Sequence, residues 1–480
     1  MDTHESMPIL SSLAGRRRFL QGTAAGLGSL ALNGLFARGA HAHADKLPGL
    51  PHFAPKAKRI VWLHMAGGPS QLDLFDPKPT LNRLDGEEIP ESYTRGERFA
   101  FIKGTPRLLG SPYAFAQHGE SGAQVSELLP ETAKVVDQLC FVHTMKTTQF
   151  NHGPAQIFMN TGHGRIGRPS MGAWLDYGLG REAEDLPGFV VMLSGKFAPS
   201  GGNSCWGPGF LPTVHQGVRF RSQGDPVLFL SNPSGVDSVS RRSSLNAIAE
   251  LDRLHHKVTG DPETETRIAQ YELAHRMQDS VPGLLDLASE GEETLALYGA
   301  QPGEASFANN CLLARRLLER GSRFVQLYDW GWDSHGTAPS DDILESLPAR
   351  CRATDRASAG LVTDLARRGM LEDTIVVWGG EFGRTPMNER RNGSTFLGRD
   401  HHPHAFTMWF AGGGFRPGMS FGETDELGYF PTTKSVEMHD LHATLMHLFG
   451  IDHERLTYFS QGRNFRLTDV GGLVQHQLLG

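Results

Sequence analysis

Cysteine is scarce in this chain: Cys140, Cys205, Cys311 and Cys351 are spread over 480 positions and form no C-x-x-C pair. That excludes a thiolate zinc framework and a disulfide-dense scaffold. Positive charge is not in excess either. The 46 Lys and Arg stand against 53 Asp and Glu, for a net charge of −7, so the basic footprint of a nucleic-acid binder is missing. No stretch reaches the roughly 18 uninterrupted apolar residues that a membrane-spanning helix needs. With 39% hydrophobic residues the chain is too apolar for a disordered polymer, and its length suits one large domain or two modest ones. What it has in quantity is histidine and glycine, 22 and 57 residues.

The first segment reads as an address. Arg16-Arg17-Arg18-Phe19-Leu20 leads into a small-residue, weakly apolar stretch, and Ala40-His41-Ala42-His43-Ala44 supplies an A-x-A cleavage site. Together these compose an export signal over residues 1–44, and the paired arginines before Phe-Leu resemble the twin-arginine type. A non-cleaved amphipathic anchor is the alternative. The signal predicts a periplasmic or secreted protein, carried out already folded by the twin-arginine export machinery.

From Lys58 onward short apolar runs alternate with helical spacing, the pattern of an α/β domain with a mainly parallel sheet flanked by helices. Strands are predicted over 59–64, 139–143, 189–193, 323–327, 374–378 and 405–410. Helices are predicted over 124–138, 155–161, 170–179, 307–319, 349–368 and 441–449. Residues 181–303 differ, with Gly/Pro/Ser-rich loops followed by polar helical stretches at 241–256 and 264–278; they read as an insertion or cap within one catalytic domain, 45–480. Trp206, Arg219 and Arg221 of this insertion can contact substrate, although solvent-facing scaffold is the nearer reading. Residues 79–112 form a long surface excursion.

Ligands of open α/β sheets collect outside the carboxyl ends of the strands, which sorts the histidines. The first strand ends in Ala66-Gly67-Gly68-Pro69-Ser70-Gln71-Leu72-Asp73, where the glycines admit close approach and Asp73 is either an oxygen ligand or a cap. Asp76, before Pro77, reads as a cap. The second strand leads to Asn151-His152-Gly153-Pro154 at a helix start, which makes His152 a functional candidate, or a packed residue beside an Asn151 cap. Asp329-Trp330-Gly331-Trp332-Asp333-Ser334-His335-Gly336 is the densest cluster; Asp333 and His335 can bite one cation or supply an acid and a base. Gly380-Glu381-Phe382-Gly383-Arg384 offers a carboxylate ligand and an oxyanion clamp, or a Glu381–Arg384 ion pair that closes the loop. In Arg399-Asp400-His401-His402-Pro403-His404, His401 or His402 is the better ligand candidate. Asp440, His442 and His447 read as a cap and packed residues.

These five runs, in this order, resemble the bacterial family DUF1501, a remote sulfatase-like branch of the alkaline phosphatase superfamily, over residues 59–467. The resemblance implies an alkaline phosphatase/sulfatase-like fold and a site for one or two divalent cations. Carried over by position, it makes Asp73, Asp333, His335, Glu381 and His401 the metal ligands, with His152 and Arg384 catalytic. His402, Asn151, Asp329 and Ser70 are secondary candidates. Thr161-Gly162 resembles the Thr-Gly closing the nucleophile helix of sulfatases, and counting back puts His152 where those enzymes carry Cys or Ser. His152 then attacks directly, shuttles a proton or binds metal; Thr147 and Thr148 are nearby hydroxyls that miss the spacing. Phe382 stands where the superfamily has a metal-binding His, so a second cation is absent or held differently. Zinc or manganese suits mixed carboxylates and imidazoles; calcium or magnesium suits an oxygen-only subset.

The function expected is thus an exported metal-dependent hydrolase of phosphate or sulfate esters, small-molecule or polysaccharide, in which Arg384 steadies charge on the transferred group. The alternative is an exported binding or scaffold protein that keeps the fold without turnover, with a redox metalloprotein third.

Overall fold

The apolar run after Arg59 folds as β1 (Arg59–Ala66), with every residue beyond Arg59 buried, as a strand covered on both faces requires. Its side chains alternate. Val61, Leu63 and Met65 enter one apolar cluster, and Ile60 and Trp62 the other. The computed structural model describes residues 46–102, 104, 106–194, 197–221, 227, 230–232 and 235–480; the signal-type segment 1–44 lies outside these.

Further strands are β2 (Arg107–Leu108), β3 (Leu139–Lys146), β4 (Phe189–Ser194), β5 (Val218–Phe220), β6 (Phe324–Trp330), β7 (Thr374–Gly379), β8 (Gly383–Asn388), β9 (Arg399–His402), β10 (Phe406–Ala411), β11 (Met419–Phe421) and β12 (Val436–Glu437). The main sheet has nine strands in the order β11-β3-β10-β7-β1-β6-β4-β5, with β12 also on β3. Only β10 runs against the others, pairing antiparallel with β3 and β7. The fold is therefore α/β with a mostly parallel central sheet, as the alternating pattern predicted, and all six predicted strands are present. A smaller sheet, β9-β8-β2, stands beside it.

The principal helices are α1 (His152–Thr161), α2 (Met171–Leu179), α3 (Ser238–Thr259), α4 (Pro262–Leu285), α5 (Phe307–Glu319), α6 (Ser346–Arg367) and α7 (Met438–Leu448). α1, α2 and α7 cover one face of the sheet; α4, α5 and α6 supply the other cluster. Among the described residues no helix is long and apolar enough to cross a membrane.

The helix predicted over 124–138 is not formed. Ala123–Ser126 pairs with Phe115–His118 as a hairpin, and only short 3-10 turns follow. Pro130 interrupts the run, and the carboxylate of Asp355 on α6 takes the N–H groups of Glu131 and Thr132 at 2.7 and 2.8 Å.

Backbone-to-backbone contact locks the loops at the carboxyl edge. A Cβ on Gly67, whose φ is +121°, would lie 2.6 Å from the Asp333 nitrogen. One on Gly398 would overlap the carbonyl of His335. Gly398→Ala is therefore expected to cost about 3 kcal/mol or more, beyond ordinary overpacking; chemical denaturation against the parent checks this, and an unchanged midpoint would mean these loops are not held together.

Candidate functional site

Register brings the loops level. His64 of β1 lies beside Tyr328 of β6 and Gly379 of β7, so the segments after these three strands leave the sheet side by side. α1 begins at His152 after the loop that follows β3, with Asn151 at its N-cap position making no side-chain cap bond. The β8–β9 hairpin sets His401 opposite Arg384.

All of this converges on one atom, Oδ1 of Asp333. It lies 2.8 Å from Nε2 of His335, 3.2 Å from Nε2 of His152 and 3.3 Å from Nε2 of His401. Nη2 of Arg384 donates to it at 2.5 Å. Behind each ring sits a second partner on Nδ1. His152 meets Oε1 of Glu381 at 2.7 Å, His401 the Phe150 carbonyl at 2.7 Å, and His335 the Glu389 carboxylate. A carbonyl only accepts, so His401 carries its proton on Nδ1, and a neutral ring points a lone pair at Asp333. His152 and His335 face carboxylates on both nitrogens, Glu381 or Glu389 on Nδ1 and Asp333 on Nε2, so a cation at Nε2 would leave each proton on Nδ1. Nε2 of His152, close to Asp333 but off the hydrogen-bonding direction, is buried without a partner among the described residues.

This donor set fits a cation. The ligand atoms of His152, Asp333, His335 and His401 all lie within 4.8 Å of one another. Three imidazoles anchored through Nδ1 and one carboxylate make a ligand set with its orienting partners in place. Without a cation the charges are uneven. Burial opposes ionisation of Asp333, but Arg384 and then the three imidazoles hold its carboxyl well below the usual range. Burial likewise lowers the His152 pKa, yet the nearby carboxylates of Asp333 and Glu381 push it up to about 9. His401 is lowered to about 4, chiefly by burial.

Glu381 sits one layer back. Fully buried, it accepts from His152, from Nε2 of Gln156 at 2.8 Å, from the Gly67 N–H at 3.0 Å and from Nε2 of His64 at 3.3 Å. Burial pushes its pKa up, but His152 and His64 win and hold it below the carboxylate range. Expected as a ligand, it is instead the support of His152.

Asp73 is not brought to the cluster. Both its oxygens accept from Arg399, at 2.8 and 3.0 Å, and Ser70 donates to it at 2.5 Å, so the ligand reading for Asp73 and the hydroxyl reading for Ser70 give way to a buried ion pair. Arg384 is a correction too. Its guanidinium donates to the carbonyls of Gly67, Gly68 and Arg399 as well as to Asp333, which leaves no fork for a substrate oxyanion. Nor does it pair with Glu381. His402 turns away to the Tyr429 carbonyl, 2.6 Å off, and burial lowers its pKa to about 3. Asp329 is spent on the Trp332 indole N–H at 3.1 Å.

Aromatic rings wall the cluster. Phe382 lies 5.0 Å from His152 and 4.4 Å from His401 between ring centroids, giving that side no donor. Phe101 meets His335 and His401, and Trp330 meets His152. His335, Glu389 and Asp400 form a second close group. In it Asp400 accepts the N–H groups of Phe101, Ile102 and His401, and Glu389 also binds Arg391, so the group reads as an anchor for loops. Glu389, His64, Gln156 and the Phe150 carbonyl went unread in the sequence. Only His64, at the end of a buried strand, carried a signal.

The family described as protein of unknown function (DUF1501) matches residues 57–479. No curated protein matches the chain. Among solved structures the chain is similar to Ps i-CgsB in complex with k-i-k-neocarrahexaose, at 11% identity and a TM-score of 0.35, covering 82% of this chain and 72% of that one. It is similar to the PsFucS1 sulfatase from Pseudoalteromonas sp., at 13% identity and a TM-score of 0.35, over 90% of this chain and 73% of that one. It is also similar to alkaline phosphatase from the Antarctic bacterium TAB5, at 9% identity and a TM-score of 0.31, over 83% and 99%.

Asp73→Ala leaves the Arg399 guanidinium buried without its counter-charge, and is expected to cost about 3–5 kcal/mol in denaturant unfolding. A surface-like loss below about 1 kcal/mol would contradict the buried pair. Burial raises the Asp329 pKa to about 6. The folded state thus favours the protonated acid; this contribution is full below the ordinary carboxylate pKa and is lost as pH rises through about 6. Asp329→Asn, which cannot ionise, should gain stability relative to the parent by about 1 kcal/mol more at about pH 8 than at about pH 5. Paired thermal melts read the difference, and an equal effect at both pH values would refute the buried-acid account.

Proposed function

The chain belongs to the DUF1501 family, and from that premise we propose that it is a metal-dependent hydrolase of phosphate or sulfate esters. The observation that supports the reading is the convergence of three imidazole Nε2 atoms on Oδ1 of Asp333, each ring pinned through Nδ1. Asp333, His335 and His401 would hold one cation. Zinc or manganese suits this mixture of nitrogen and oxygen better than calcium or magnesium. When bound, such a cation polarises an ester oxygen and lowers the pKa of water from about 16 to about 7.

The remaining work falls to the chain. His152 is the most open of the three rings, with 14% of its side chain exposed against 8% for His335 and 2% for His401. Glu381 holds Nδ1 from behind, so Nε2, facing the cluster, is the atom left to exchange a proton there. Trp330 and Phe101 exclude water from the flanks. Residues 1–44 are read as the export signal, and 181–303 as an insertion or cap within the catalytic domain 45–480. A small-molecule or polysaccharide ester is the substrate class.

A binding or scaffold protein is the second reading, favoured by an imidazole at position 152 and by the commitment of Arg384 to main-chain carbonyls. Elemental analysis combined with turnover of aryl phosphates, phosphodiesters and aryl sulfates separates the two. Asp333→Ala and His335→Ala are expected to lose metal and turnover together, and His152→Ala to keep metal while losing about 10²–10⁴-fold in rate. Parent protein that is metal-free and inert to every ester supports the scaffold.

A further inference from the structure

α3 turns Leu245 and Ala249 inward, where it packs beside α4. The opposite side is apolar yet open: Ile248, Leu251, Leu254 and Val258 are 39%, 66%, 59% and 85% exposed. Ala247, Leu251, Leu254 and Val258 recur at intervals of four, three and four residues, the spacing of a helix-pairing seam. A contiguous stripe of this kind on a helix marks an interaction surface rather than scattered surface residues.

We propose that this face of α3 docks, antiparallel, on the same face of a second copy of the chain. Charge identifies the occupant. Glu250 and Lys257 lie along one margin of the stripe, seven residues apart, both exposed. A two-fold pairing centred between Asp252 and Arg253 lays Leu251 of each copy on Leu254 of the other. It also sets Glu250 against Lys257 twice, because an isologous contact repeats every pair. Parallel pairing would set Glu250 near His255 and lose both attractions. A lipid surface fits less well, since membrane-lying helices carry a basic polar face and this rim sets Glu250 beside Arg253 and Lys257.

Light scattering of the purified parent is expected to return twice the chain mass. Leu254→Glu should give a monomer whose thermal melt matches the parent at low concentration. Glu250→Lys and Lys257→Glu, each setting like charges opposite one another, should each weaken self-association by about tenfold or more, and the double swap E250K/K257E should restore it. A parent that stays monomeric over the whole accessible range overturns the proposal. So does a dimer that Leu254→Glu leaves intact, a double swap that fails to rescue, or binding of the stripe to anionic vesicles without self-association.

Discussion

One carboxylate oxygen organises this molecule's working edge. Oδ1 of Asp333 has an arginine nitrogen and three imidazole nitrogens around it, on segments spread between positions 152 and 401 of the chain. Four nitrogens around one oxygen exceed what its lone pairs can align with, and the orphaned Nε2 of His152 is the visible cost. The arrangement is coherent if the rings are neutral ligands around a cation and strained if they are not. Everything behind them serves their orientation: Glu381 for His152, Glu389 for His335, the Phe150 carbonyl for His401.

The sheet makes that convergence inexpensive. Parallel strands end at one edge, so β1, β6 and β7 deliver their loops to the same place without long connections. Glycine then sets the distance between loops. Gly67 lies against the Trp332–Asp333 backbone and Gly398 against that of His335, so the rings are placed by main chain rather than by flexible side chains alone.

What was legible in the sequence follows from this division. The strands were readable because buried parallel strands are unbroken apolar runs; His152, Asp333 and His335 were readable because they follow such runs, and His401 because it stands in a histidine cluster just ahead of one. The rank of each carboxylate was not. Asp73, Asp333 and Glu381 all follow strands in glycine-rich loops, yet one pairs with an arginine, one takes the centre and one supports a ring. Those outcomes depend on partners far along the chain, 51 residues away for Arg384 on Asp333 and 326 for Arg399 on Asp73, which local pattern does not encode. Glu389 had no signal, since an acid in a polar hairpin looks like any solvated residue. The missing helix at 124–138 has the same origin: its N–H groups are claimed by Asp355, a partner on α6.

The two buried arginines explain why irregular loops hold such a site still. Arg399 spreads its donors over both oxygens of Asp73 and the carbonyls of Leu109, Gly110 and Thr385. Arg384 spreads its own over Gly67, Gly68, Arg399 and Asp333. Loop carbonyls lack the ladder partners of a sheet, and leaving them buried and unpaired would be costly. A planar fork with five donors satisfies several at once in fixed directions, which a lysine ammonium on a flexible stem does not. Asp73 thus acts on the cluster at one remove. It holds Arg399, and Arg399 fixes the strand that carries His401. The residue that looked most like the first metal ligand is a foundation of the site rather than part of its rim.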